Sequence, residues 1–163
     1  MQSARRFGCV LVVLMLCCMF PLTSAQVPTA PGVEIDCADK NPELDVHPLN
    51  DPTVEITCTV SNPSSFQETI SVEKEWDGLE VEMMLEDDSF ELGPGEEEDF
   101  IVTFTGQKRM SSDLSYDFTL TAIVTNVGML DWPEALATNA SVSGDLNIAC
   151  LLYTSDAADD QLG

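Results

Sequence analysis

The chain has 163 residues, enough for one domain after any targeting segment is removed, and a formal net charge of −23 from 29 acidic and 6 basic side chains. That excess of negative charge argues against nucleic acid and anionic membrane surfaces as partners, because both repel it. It suits a well-solvated surface, and in salt the self-repulsion is screened beyond roughly 10 Å.

In chain order, the first element is an export signal. Arg5 and Arg6 form a positive start, Val10 to Phe20 is an unbroken apolar run, Pro21 breaks it, and Thr23-Ser24-Ala25 supplies small residues. These are the parts of a secretory signal peptide, with cleavage expected between Ala25 and Gln26. The run is short for a membrane span. Export through the general secretory pathway follows, to the cell surface or beyond. Cys9, Cys17 and Cys18 leave with the signal. Residues 26–32 (QVPTAPG) read as a linker without periodicity.

The body, 33–149, shows the period of two that marks half-buried strands. Val54, Ile56, Cys58 and Val60 alternate with polar residues. So do Ile70 and Val72; Leu79, Val81, Met83 and Leu85; Phe100, Val102 and Phe104; and Tyr116, Phe118, Leu120, Ala122 and Val124. Val142, Leu146 and Ile148 close the series. Asn50-Asp51-Pro52, Asn62-Pro63-Ser64-Ser65 and Gly93-Pro94-Gly95 are turn sequences. Asp77-Gly78, between two apolar runs, predicts a tight hairpin. Met129 to Thr138 has room for a single helical turn, limited by Pro133. About seven to eight short antiparallel strands with one apolar face each predict an immunoglobulin-like β-sandwich. Trp76 is expected to pack at a strand end. Tyr116 fits either a tyrosine corner, its hydroxyl bonded to nearby backbone, or a plain core position.

Between residues 26 and 149 two cysteines remain, Cys37 and Cys58. In an exported chain an isolated pair reads as a disulfide, and the apolar phase of Cys58 places it against the core. Catalysis has little to work with. His47 is the one histidine, and no nucleophile elbow, phosphate loop or paired-histidine motif occurs. The chain therefore reads as no enzyme and as needing no cofactor, calcium being the one ligand its acids suit. The acidic clusters around Asp87, Asp88, Glu96 and Glu98 supply the oxygen type calcium takes, without a calcium-loop pattern. Asn139 opens the sequon Asn139-Ala140-Ser141, a glycosylation acceptor in a host that glycosylates exported proteins.

The stretch from Val54 to Val127 resembles the immunoglobulin-like modules of prokaryotic exported proteins, of the cell-adhesion-related and alpha-galactosidase-associated accessory types. The residues that carry the resemblance are Asn62 at a strand end, Pro94-Gly95-Glu96 leading into a Val/Thr-rich strand, and Tyr116 at the head of another. It implies a sandwich that spaces, adheres or supports, and brings no catalytic residues. Its acidity and threonine-rich strands are also archaeal-like. Residues 150–160, CLLYTSDAADD, resemble a translated sequencing adapter. That resemblance implies a non-native tail over 150–163, with Cys150 foreign and the chain a fragment. The function expected is a non-enzymatic surface module acting as spacer, adhesive or assembly unit on another surface or extracellular protein or glycan. Any membrane contact would run through an anchor beyond the fragment. The alternatives are an accessory domain of an extracellular hydrolase and a weak calcium- or carbohydrate-binding module.

Overall fold

The computed structural model describes residues 30–150, apart from 113, 134, 135 and 137. The expected signal peptide with its Ala25–Gln26 cleavage site, and the adapter-like tail past the exposed Cys150, lie outside the described residues.

Ten strands follow in order. They are β1 (Glu34–Cys37), β2 (Glu43–Asp45), β3 (Thr53–Ser61), β4 (Glu68–Trp76), β5 (Glu82–Leu85), β6 (Ser89–Leu92), β7 (Glu97–Thr105), β8 (Leu114–Val127), β9 (Leu130–Asp131) and β10 (Asn139–Ala149). They form two layers. One sheet has the order β1-β3-β7-β5, and the other β2-β10-β8-β4-β6 with β9 pairing beside β8. The alternation read from the sequence is the burial alternation of the strands, except at Leu79, which precedes β5 in the connection from β4 and is 99% exposed. Ile56 and Cys58 of β3 lie opposite Val102 and Phe100 of β7, Val54 lies opposite Phe104, and Ile56, Cys58, Val60, Phe100, Val102 and Phe104 are all buried. On the other sheet Phe118, Leu120, Ala122 and Val124 turn inward beside Ile70, Val72, Val142, Leu146 and Ile148. The core is this contact between two apolar faces, the arrangement of a β-sandwich.

Three features differ from the expectation. The described residues hold ten strands, more than expected because β1, β2 and β9 are too short to carry a clear period. The pairing of β2 with β10 is parallel, Asn147 opposite Glu43 through Ala149 opposite Asp45. And Asp77-Gly78 makes no hairpin: β4 belongs to the six-stranded sheet and β5 to the four-stranded one, so the connection crosses between layers. The cause is Trp76. Its indole Nε1 donates to Val81 O at 2.8 Å. A Cβ on the buried Gly78 would lie 2.2 Å from its ring. The ring folds over the turn and pins the crossing. Near the single turn expected at Pro133, Leu136 N–H bonds Pro133 O, while residues 134 and 135 between them lie outside the described residues.

Trp76 packs as expected at the strand end, its ring centroid 5.4 Å from Phe104 and 5.7 Å from Tyr116. Of the two readings of Tyr116, ring packing is the contact the structure supplies. The end of the linker is tied down. Gly32 N–H donates to Glu68 Oε1, and Thr138 Oγ donates to Pro31 O.

Candidate functional site

Cys37 and Cys58 are bonded and directly opposite in the β1–β3 register, with Cα atoms 4.0 Å apart. Both are buried, against the core. The link joins neighbours within one sheet rather than the two sheets of the sandwich.

A polar node sits at one end of the molecule. Asn62, fully buried at the end of β3, donates from Nδ2 to Phe66 O, Leu92 O and Gly93 O, and accepts from Ser64 N–H through Oδ1. Its backbone joins the same knot: Asn62 N–H bonds Glu96 O, and Gly95 N–H bonds Asn62 O. Gly95 turns the chain there at φ 71°, a conformation glycine adopts without penalty. Asn62 and the Pro94-Gly95-Glu96 turn, read separately from the sequence, are thus one clamp between β3, the β3–β4 loop and the β6–β7 turn. Beside it Glu68 is 1 % exposed. Its Oε1 accepts from Ser64 Oγ and Gly32 N–H, and its Oε2 has no partner among the described residues.

The four residues considered for calcium do not converge. Asp87 and Asp88 lie exposed in the β5–β6 turn, while Glu96 and Glu98 lie beyond the other end of β6. Glu96 accepts the Gly93 N–H instead. Among the described residues no group of three His, Cys, Asp or Glu side chains is placed to hold a metal ion. Asp117 and Asp145, missed in the sequence because they are 28 positions apart, are opposite each other in the β8–β10 register. A hydrogen bond to Asp145, with like-charge repulsion behind it, raises the Asp117 carboxyl above the usual range. Beside them Glu75, Trp76, Asp77, Asp117 and Thr119 line a shallow acidic concavity of about 340 Å³. Asp36 is the opposite case. Its hydrogen bond with Lys40, helped by the Cys37 N–H, lowers its carboxyl.

His47 follows β2, its N–H on Asp45 Oδ1 and its Nδ1 accepting from Leu49 N–H. That makes it part of a local turn. Asn139 is exposed at the start of β10, an accessible place for a glycan, although the Ser141 hydroxyl is hydrogen-bonded to Thr121 at 2.9 Å. The outer face around that pair is a ladder of hydroxyls, Thr119 with Ser143 and Thr121 with Ser141, flanked by Glu75 and Glu73.

No protein-family model matches the chain, and no curated protein does. Solved structures resemble it in fold. An activated alpha-2-macroglobulin from Escherichia coli aligns with TM-score 0.51 at 14% identity, over 72% of this chain and 9% of that one. The chain thus spans under a tenth of that protein. The PapD-like domain 7 of human CEP192 aligns with TM-score 0.47 at 12% identity, over 81% of this chain and 94% of that one. A CARDB domain from Pyrococcus furiosus, solved with di-metal ions, aligns with TM-score 0.44 at 18% identity, over 80% and 98%. The described chain is an all-β, immunoglobulin-like sandwich.

Proposed function

We propose that this chain is a non-enzymatic exported or cell-surface module that acts as a spacer, adhesive or assembly unit. The observation that carries the reading is the buried Cys37–Cys58 bond, because disulfides of this kind persist in oxidising compartments and are rare in the cytosol. The charge supports it, since a net −23 keeps a surface domain hydrated and apart from its copies. So does the use of polar groups: Asn62 and Ser64 bond to backbone, and His47 serves a turn. The test is expression with a terminal epitope in a host with a general secretory pathway. The protein is expected outside the cytoplasm, with Cys37 and Cys58 resistant to alkylation until reduced. A cytoplasmic protein with both thiols alkylated sinks the reading.

A further inference from the structure

The outer edge of β5 is closed by side chains where a strand would fit. β5 ends the four-stranded sheet. Glu86 N–H, just past it, bonds Ile101 O in β7. The alternation of an antiparallel ladder then turns the main-chain groups of Val81, Met83 and Leu85 away from β7, toward the open side. Two of those carbonyls are met by side chains of β4: Trp76 Nε1 donates to Val81 O, and Lys74 Nζ donates to Met83 O. Both caps come from the half of β4 that β6 leaves uncovered, since β6 pairs only with Glu68 to Ser71. A lysine on the inward phase of an edge strand is a known way of blunting such an edge. Here it blunts the edge of the facing sheet.

Acidic side chains outnumber basic ones along β5 and the turn that leads into it, with Lys74 the cation on the edge itself. Glu73 and Glu75 lie on the opposite face of β4, while Asp77, Glu80, Glu82 and Glu86 are exposed along this edge. Between them two apolar side chains stand out of the surface, Leu79 at 99% exposure and Met84 at 53%. We infer that the outer edge of β5 docks an extended basic segment of another protein, which adds as a fifth strand to the four-stranded sheet. The inference rests on the reading of the chain as an assembly module and gives that module a partner chemistry. Main-chain bonds to Met83 and Leu85 supply the pairing, as in strand addition generally. The acidic rim selects lysine and arginine, and Leu79 and Met84 take apolar side chains between them. A second copy of this chain is the wrong occupant, because its acidic surface meets the same acidic rim. In the free protein Lys74 holds the Met83 carbonyl until a partner N–H replaces it.

The experiment uses the chain recovered with its disulfide from an oxidising secretory compartment. The probe is a synthetic nonapeptide alternating Lys with Val and Thr, and its comparators are the same peptide with Glu for Lys and one N-methylated at alternate residues. Binding is followed by titration at low and high salt, and amide exchange is read residue by residue. The basic peptide is expected to bind, to weaken at least tenfold in high salt, and to slow exchange at Met83 and Leu85 at least tenfold. N-methylation is expected to remove that protection, and Lys74→Met to tighten binding several-fold. Equal binding of the acidic or N-methylated peptide overturns the inference, as does protection confined to other amides. Self-association that protects Met83 and Leu85 without peptide overturns it too, in favour of a second copy. All three outcomes leave the module reading standing; cytoplasmic retention with free thiols is what removes that.

Discussion

Gly144 is where one added methyl group should do the most harm. It lies in β10 opposite Phe118. A Cβ built there would stand 2.3 Å from the Lys40 carbonyl oxygen and 2.6 Å from Phe118 Cζ. The phenyl ring has some room to rotate, but the carbonyl belongs to backbone. It must withdraw by roughly 0.7 Å to clear 3.0 Å. The same carbonyl accepts Asp145 N–H at 2.8 Å, and Pro42 O just beyond accepts Asn147 N–H at 2.9 Å. Withdrawing the loop strains both bonds, each contributing about 1 kcal/mol net. Overpacking a filled site adds about 1–3 kcal/mol. Against this, alanine is better than glycine within a strand by about 0.5–1 kcal/mol. Gly144→Ala is therefore expected to destabilise by about 1–3 kcal/mol. At about 4 °C per kcal/mol for a domain of this size, melting falls by about 4–12 °C. Scanning calorimetry of the two proteins, alongside a urea titration, measures it. Gly128→Ala is the comparison: no atom lies within 4 Å of its Cβ position, and its cost comes from φ 57° alone. If Gly144→Ala melts within 1 °C of the parent, or higher, the close approach of Lys40 to β10 is wrong.

Asn62→Ala leaves the Leu92 carbonyl and its neighbours in the clamp without a donor, and is expected to cost about 2–4 kcal/mol in denaturant titration; a loss under 0.5 kcal/mol refutes the clamp. Replacing Cys37 and Cys58 together by alanine opens a loop of sequence separation 21 and removes about 3 kcal/mol, read as a lower urea midpoint than the oxidised parent; equal midpoints refute it. The raised Asp117 carboxyl stabilises the folded state below its ordinary range near pH 3.8, and that contribution is lost as pH rises through the elevated value. Asp117→Asn is thus expected to raise the melting temperature at pH 7, where it removes repulsion from Asp145, and to lose that advantage below about pH 4; a pH-independent difference refutes the pairing. Asp36 runs the other way: the lowered carboxyl stabilises above about pH 3.8 and the contribution is lost as pH falls through the depressed value. Lys40→Met is therefore expected to lower the melting temperature at pH 7 and to lose that effect as pH falls through the lowered value.

The strands legible in the sequence were the long ones with a single polar face. Phe100, Val102 and Phe104 could be assigned inward from spacing alone, because one sheet face is buried and the other solvated. β1 and β2, four and three residues long, offer too few alternations to declare a period. The partner sheet of each strand was not legible either. Asp77-Gly78 has hairpin chemistry, and the crossing between layers shows only in the sheets to which β4 and β5 belong. The cysteine pair was legible because few alternatives compete for two cysteines in a chain read as exported. The acidic residues were not. A strand puts consecutive acids on opposite faces and brings distant ones together, so Asp117 meets Asp145 while Asp88 and Glu96 stay apart. Gly144 gave one faint signal, a glycine inside an alternating strand, which marks close backbone approach.

The position of the Cys37–Cys58 bond also decides how this fold would answer a pull applied at its N-terminal side. A pull on the N-terminal side enters through β1 and passes at Cys37 into Cys58, in β3. Everything between, including β2 and its parallel ladder on β10, hangs as a covalent side loop and bears no load. Reducing the bond puts that loop in series. The force then reaches β10 through β2, whose parallel pairing is loaded in shear along its length. When β2 lets go, the loop of sequence separation 21 pays out, about 70 Å of slack at full extension. Under such a pull the oxidised fold would act as a short link, and the reduced one would hold a reserve of length.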